Sequence, residues 1–368
     1  MVTPNHPFYA RKKISYTTRE SGISKRVSYL SEPEWIDAEK LSTEYRVGIP
    51  INTSAIIPVW DGFVREYCNS YGPTKCEIVN TLDPLMSCPD FWWVVGNYFA
   101  DGSLTDDIVT ISYGNNTADG DRIKEHLEKC GIKYSERKVG TSHQINISSS
   151  EFVSFLRRYG KGAMNKMITP EILNLPVELL REFLDGYFKG DGALSHSTKN
   201  PEMKYTTVSK KLAYGLSMCI LKAYRRYPSI VLKKAETINN KIDGRTVNVH
   251  DAYACGFYLE DSDRLQYTIE DNMAWVNVRS VENVNTEQQS IYTLSVEDDE
   301  SYTAYNVAVH NCTSYSVSAI SHHRQKVGDT LRPISEYAKF CDRTNNHVLD
   351  LIAQLKPKYF FIENPVLD

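Results

Sequence analysis

Two stretches decide the fold: Phe91-Trp-Trp-Val-Val-Gly-Asn-Tyr-Phe-Ala-Asp-Gly102 and Leu180-Arg-Glu-Phe-Leu-Asp-Gly-Tyr-Phe-Lys-Gly-Asp-Gly192. Each carries a glycine, then Tyr-Phe, then a small residue and Asp-Gly, and the two Asp residues stand 90 positions apart. Both read as helices. Pro89-Asp90 and Pro176-Val-Glu178 are good first turns, and Gly102 and Gly192 are suitable stops. Each helix has small residues four apart, Gly96 with Ala100 and Gly186 with Gly190, on one face. Such a stripe lets two backbones approach closely. Packing the helices along it brings Asp101 and Asp191 together at one end. Each carboxylate there opposes the helix dipole, and the two repel each other. A hard divalent cation relieves both penalties, and carboxylate oxygens suit Mg²⁺. A metal held this way can serve phosphodiester hydrolysis. Two copies therefore predict two similar modules, related by pseudo-twofold symmetry.

Outward from these helices, Ile108-Val-Thr-Ile-Ser-Tyr113 and Ile145-Asn-Ile-Ser148 read as strands, and Asp121–Cys130, Ser150–Tyr159 and Lys210–Arg226 as amphipathic helices. Each module is expected to run helix, strands, helices. The 368-residue chain has 42 Lys+Arg and 46 Asp+Glu, a formal net charge of −4. That balance alone argues mildly against a nucleic-acid binder, but the charge is unevenly placed. Residues 131–170 carry a net +5 and 201–250 a net +7, whereas 251–311 carry a net −10. Blocks of opposite sign predict segments with different partners. The sequence has no apolar run long enough to span a membrane and no signal-peptide pattern. Its eight scattered cysteines lack a C-x-x-C pair, which fits a reducing cytoplasm better than a disulfide framework or zinc site.

The duplicated motif resembles the paired LAGLIDADG helices of homing endonucleases in the monomeric two-motif form. The resemblance implies Mg²⁺-dependent double-strand cleavage of a long DNA site, with Asp101 and Asp191 as metal-binding acids. Lys166-Met-Ile-Thr-Pro-Glu-Ile-Leu173 resembles the segment before the second motif, which makes Lys166 a third catalytic candidate. DNA binding would account for the basic blocks, and Lys204, Lys210, Lys211, Lys222, Arg225 and Arg226 are candidate phosphate contacts. Each module's sheet would then lie in the major groove.

The flanks read as short strands: Val27–Leu30 and Tyr45–Ile49 on one side, and Trp275–Val278, Ile291–Val296 and Tyr302–Ala304 on the other. They end in His310-Asn311-Cys312. An asparagine amide can attack its own carbonyl carbon, forming a succinimide and breaking the next peptide bond. A neighbouring histidine can polarise that carbonyl or protonate the leaving amine, and a following thiol can first accept an acyl group. With Val307-Ala-Val309 before it, the triplet resembles the C-terminal junction of an intein. Thr3-Pro-Asn-His6 resembles the intein Thr-x-x-His motif, which activates the upstream scissile peptide, and Pro33–Leu41 is intein-like in the right order. The N-terminal splice block of that family would lie upstream of Thr3, so complete splicing needs a further N-terminal segment. Glu300 and Thr293 stand where many inteins have His and Asp.

After the junction, Ile334–Leu355 reads as a helix and Tyr359–Ile362 as a strand. Cys312-Thr-Ser-Tyr-Ser316 and Phe360-Phe-Ile-Glu-Asn-Pro365 resemble two motifs of cytosine-C5 DNA methyltransferases. The resemblance implies Cys312 as nucleophile and Glu363 as a base contact.

The expected fold class is therefore α+β: a pseudo-symmetric α/β endonuclease inserted in an all-β intein domain, plus a short α/β C-terminal fragment. The expected parts are a first splicing segment at 1–57, a connector at 58–87, the endonuclease at 88–262, a second splicing segment at 263–311 and an extein fragment at 312–368. The expected endonuclease is monomeric and acts on double-stranded DNA in the cytoplasm, that of a phage's host included. The alternatives are a free-standing LAGLIDADG protein and a DNA-binding remnant without activity.

Overall fold

The computed structural model describes residues 2–20, 23–67, 75–114, 116–140, 142–195, 200–237, 241–242, 245–246, 249–260, 266–284, 301–310, 324–327 and 330–333. It separates into two compact units, Met1–Pro50 with Gln266–Asp368, and Ile51–Leu265. Chain continuity thus makes the second unit an insert in the first. Among the described residues no helix is long and apolar enough to cross a membrane.

The first unit is built on one eight-stranded sheet. Its strands are β1 (Pro7–Glu20), β2 (Ile23–Leu30), β3 (Glu34–Asp37) and β4 (Tyr45–Pro50), then β17 (Tyr267–Glu270), β18 (Met273–Asn277), β19 (Ser301–Ala304) and β20 (Val307–His310). The path runs β17-β18-β4-β1-β20-β19, with β2 and β3 also paired to β1. Strand β1 is 14 residues long and organises the sheet, a role its polar sequence did not announce. Pairing of β4 with β18 and of β1 with β20 joins chain segments more than 200 residues apart. A hairpin of β21 (Arg324–Val327) and β22 (Thr330–Pro333) follows. The helix and strand expected at 334–362 lie outside the described residues.

The inserted unit opens with a hairpin, β5 (Phe63–Tyr67) and β6 (Lys75–Val79). Its first module comprises α1 (Pro89–Asp101), β7 (Gly102–Leu104), β8 (Ile108–Tyr113), α2 (Thr117–Lys129), β9 (Ser135–Val139), β10 (Ser142–Ser148) and α3 (Ser150–Arg157). A short α4 (Pro170–Leu173) leads to the second module. That holds α5 (Val177–Asp191), β11 (Gly192–Ser195), β12 (Glu202–Thr207), α6 (Lys210–Tyr224), β13 (Ser229–Lys233) and β16 (Ala252–Tyr258). A small hairpin of β14 (Lys241–Ile242) and β15 (Arg245–Thr246) precedes β16. The sheet orders are β7-β8-β10-β9 and β11-β12-β16-β13. Numbered along each module, both are first-second-fourth-third, so the duplication in sequence is a duplication of topology. The expected order of helix, strands, helices needs one change. Helices α2 and α6 fall inside the strand series, because each four-stranded sheet needs a crossover between its second and third strands.

Helix α1 is buried at every position from Phe91 to Phe99, as expected of a helix that is apolar all round. Phe91 lies against Phe152 and Phe155 of α3, and Trp60 packs edge-on to Phe155. Trp60, Leu82 and Met86, from the segment read as a connector, thus belong to the same hydrophobic core as the helices. Glu151 fastens this segment. Its carboxylate accepts hydrogen bonds from the Trp60 indole at 2.9 Å, Thr81 N at 2.8 Å, Leu82 N at 3.3 Å and the Thr81 hydroxyl. A buried carboxylate is tolerated when its lone pairs are satisfied in this way.

Candidate active site at the paired helix ends

The face shared by α1 and α5 is made of glycine. A Cβ at Gly96 would stand 1.9 Å from the Phe183 carbonyl oxygen, and one at Gly186 would stand 2.0 Å from that of Trp93. Backbone touches backbone at both crossings, so no larger residue fits either place. At the end of the contact a Cβ at Gly190 would lie 2.3 Å from Asp101 Oδ2 and 2.5 Å from Ala100 Cβ. The Asp101 carboxylate therefore occupies the space that a side chain beside Asp191 would need. Asp101 and Asp191 are the last residues of their helices, and Gly102 and Gly192 begin the first strand of each sheet.

The electrostatics follow from this crowding. The packed helix ends desolvate both carboxylates while each still reaches solvent. Asp101 is pushed up to about 6, first by desolvation and then by the Asp191 charge, against the pull of Lys166. Burial likewise raises Asp191, again opposed by Lys166. Paired acids held above their ordinary range are a recurrent mark of functional sites.

Lys166 is 2 % exposed. Its Nζ donates to the carbonyl oxygens of Tyr98 at 2.7 Å, Phe99 at 3.0 Å and Gly102 at 2.8 Å, and lies over the Tyr98 ring. Three donors meet three acceptors, so this ammonium closes the C-terminus of α1, where a cation is favoured. Desolvation lowers it to about 8, against the pull of Asp191 and Asp101. Lys166, the third catalytic candidate, thus lies within electrostatic reach of both aspartates while its donors are taken by these carbonyls. The structure shows Lys166 as a buried cap that positions the Asp101 end of α1. The loop that delivers it is fixed at both sides. Gly160 takes φ +101 against the Asn165 carbonyl, and the Ser209 hydroxyl, which caps α6, donates to Lys166 O at 2.7 Å. Ser209 and Gly160 were missed from sequence. The Ser209-Lys-Lys-Leu212 helix start was the available signal for the first.

The two carboxylates fit a magnesium ion by donor chemistry. They are hard oxygen ligands, exposed at the helix ends and mutually repelling, whereas Lys166 already serves the helix. Among the described residues no group of three or more His, Cys, Asp or Glu forms a metal cluster. A two-carboxylate site with the rest of its coordination from water and phosphate is usual for Mg²⁺.

The six basic residues proposed for phosphates do not share one surface. Lys210 and Lys211 are exposed on the first turn of α6, beside Ser209 and hence near the Lys166 loop. Arg225 and Arg226 stand past the other end of that 15-residue helix, about 20 Å away. Arg225 caps α6 in the left-handed conformation at φ 54. Lys204 pairs with Glu202 at 2.9 Å. Lys222 is overturned as a phosphate contact. It is 5 % exposed, and its Nζ donates to Ser54 O at 2.6 Å, Leu173 O at 2.7 Å and Asn52 Oδ1 at 3.2 Å. Helical periodicity carries it to the inner face, where it ties the start of the insert to α4.

In the other unit the structure brings two of the splice candidates to one end of a sheet. Phe8 of β1 stands opposite Val309 of β20. The turn before β1 is closed by His6 N donating to Thr3 O at 3.0 Å, and it is stitched to the Pro33–Leu41 stretch by Ala38 N to His6 O and Glu39 N to Pro4 O. The His6 ring is buried edge-on to Phe8 and Tyr302, with its Nε2 lacking a hydrogen-bond partner. The His310 ring packs edge-on to Trp35. Asn311, Cys312 and Glu363, with Thr293 and Glu300, lie outside the described residues.

Residues 178–223, which span α5 to most of α6, match the family model of the LAGLIDADG-like domain. The chain is 28 % identical over 344 residues to an uncharacterized protein of Methanocaldococcus jannaschii, covering 81 % of this chain and 36 % of that one. It is 30 % identical over 135 residues to the DNA-directed RNA polymerase subunit Rpo1C of the same organism, 36 % of this chain and 15 % of the subunit. It is 25 % identical over 282 residues to a DNA polymerase of Thermococcus litoralis, 66 % of this chain and 16 % of the polymerase. The chain thus spans about a third or less of each relative. Among solved structures, the homing endonuclease I-DmoI in complex with DNA and Ca aligns at TM-score 0.34 and 12 % identity, over 46 % of this chain and 82 % of that one.

Proposed function

We propose that the inserted unit is a DNA endonuclease of the LAGLIDADG type, which cuts both strands of a long duplex site as a monomer and depends on Mg²⁺. The observation that carries this reading is the meeting of Asp101 and Asp191 at the ends of a duplicated helix pair. A bound Mg²⁺ supplies charge neutralisation for phosphodiester hydrolysis. The chain's own residues do the rest. The glycine face sets the spacing of the acids, and Lys166 and Ser209 hold the Asp101 end in place. Lys210 and Lys211 add positive charge beside the site, which favours the approach of a phosphate backbone. The test is cleavage of plasmid DNA bearing an uninterrupted methyltransferase gene in Mg²⁺. Linear product from the parent and none from Asp101→Asn or Asp191→Asn is expected. Equal cutting by either variant refutes the assignment.

The same reading makes residues 1–50 and 266–311, a narrower pair of segments than the expected 1–57 and 263–311, the two parts of a protein-splicing domain and 312–368 a methyltransferase-like extein, all acting in the cytoplasm. Two observations favour it. His6 and His310 share one end of a sheet whose strands come from both sides of the insert. The relatives include a DNA polymerase and an RNA polymerase subunit, unlike proteins that share only a fraction of their length with this chain, as an inserted element does. In this chemistry Asn311 cyclises with help from His310, and Cys312 accepts the acyl group; Thr3 and His6 activate the upstream junction. Mass spectrometry of the chain should find succinimide-ended cleavage after Asn311. Unchanged cleavage in Asn311→Ala refutes it.

A further inference from the structure

We propose that the two sheets of the inserted unit read a duplex by different means, the first by hydrogen bonds from amides on its central strand to base edges and the second with no base-reading side chain on the matching strand, so that it discriminates less. This rests on the endonuclease reading. Strands β7 and β11 begin at the residue after Asp101 and Asp191. A phosphate at the acids therefore lies where both sheets start, and a duplex continuing past it crosses their helix-free faces.

Strand register assigns those faces. In the first sheet Ile111 stands opposite Ile145 and Val109 opposite Ile147, and all four are buried on the helix side. The alternate rows are Thr110 with Asn146, and Ser112 with Gln144 and Arg137. All of these are polar. They are also braced: Thr110 Oγ1 donates to Asn146 Oδ1 at 2.8 Å, and Arg137 Nε donates to Gln144 Oε1 at 3.0 Å. Carboxamides and guanidinium groups are the side chains that pair bidentately with adenine and guanine in the major groove. A held side chain loses little rotamer freedom when it binds.

The matching rows of the second sheet read otherwise. Thr206 stands opposite Ala254, which stands opposite Val231; Lys204 stands opposite Gly256, which stands opposite Ser229. Gly256 and the buried Ala254 of β16 thus stand where the first sheet has Asn146 and Gln144, and the exposed Val231 stands where it has Arg137, while β12 keeps Lys204 and Thr206. Lys204 is paired with Glu202, which lies over Gly256, where a Cβ would meet its carboxylate at 2.5 Å, and exposed Lys233 of β13 stands at the edge of the same face. The centre of such a surface can touch thymine methyls and sugars, whereas its directed donors, Thr206, Ser229 and Lys233, lie on the strands to either side of β16.

Selection from a library of duplexes with a random central stretch, followed by sequencing, tests the inference. One half of the recovered site should hold fixed purines and the other should stay degenerate. Arg137→Ala and Gln144→Ala, both at the surface, should each relax a position in the fixed half by about tenfold and leave the degenerate half alone. Two equally fixed halves, or variants that relax nothing, overturn the proposal. Recovery of no preferred DNA overturns it together with the reading it rests on. Selective recovery without any cleavage supports it while refuting the nuclease.

Discussion

The two modules of the insert share one topology, yet their principal helices live in different surroundings. Helix α1 is enclosed by α5, α2, α3 and its sheet, and its C-terminus is closed by Lys166. Helix α5 keeps a charged face, on which Asp185 accepts from the Trp93 indole and pairs with Arg122. The difference teaches that a duplicated backbone repeats geometry, while each copy's role is set by what surrounds it. The glycine crossing, the terminal aspartates and the capping glycines Gly102 and Gly192 are used alike in both.

The largest effect that sharpens this comparison is expected at the aspartates. Asp101→Asn or Asp191→Asn should slow cleavage at least about a thousandfold, the scale of several kcal/mol of lost charge stabilisation. The same Asp101→Asn should raise metal-free stability at neutral pH. A carboxyl held up to about 6 in the folded state is destabilising where it is ionised. The gain should therefore fade as pH falls from 6 toward 4, which thermal melts across that range will show.

Next in size is Lys166→Met. It leaves three carbonyls at the end of α1 without their donor and should lower stability by about 2–3 kcal/mol in chemical denaturation. If Lys166→Met melts like the parent, the asymmetry between the two helix ends is not energetic. Gly96→Ala, forced against a carbonyl, should cost about 1–3 kcal/mol. Gly114→Ala, where nothing lies within 4 Å, should be near neutral and serves as its measure. The smallest effect belongs to the other unit. Burial lowers His6 from its ordinary 6.5, so its neutral form is favoured by folding. Stability should be full above about pH 6.5 and fall below it; hydrogen exchange along β1 checks this, and His6→Gln should flatten the dependence.

Much of the insert was legible because its signals are local and periodic. Ile108–Tyr113 is a strand with the expected bounds, and the paired helices start and stop where proline and glycine mark them. Helix α6 begins at Lys210, as its Ser209 cap dictates, and ends at Tyr224, two residues before the expected Arg226. Side-chain roles were less legible. Lys166 read as a catalytic candidate and Lys222 as a phosphate contact, since nothing along the chain says that main-chain carbonyls from distant segments will gather around an ammonium. Strand β1 was missed because its partners, including β4 and β20, and not its own alternation, hold it extended.

The sequence by itself determined the duplication, the positions of Asp101 and Asp191 at helix ends, and the small residues that let those helices touch. These are statements about neighbours within a few turns, where composition and periodicity act directly. Only the tertiary structure decided that each module of the insert closes a four-stranded sheet of its own and that Lys166 is a cap. It alone showed that one sheet offers amides where the other has Gly256 and Ala254. Those facts depend on long-range pairing, in which a residue's partner is set by register and packing and not by its place in the chain.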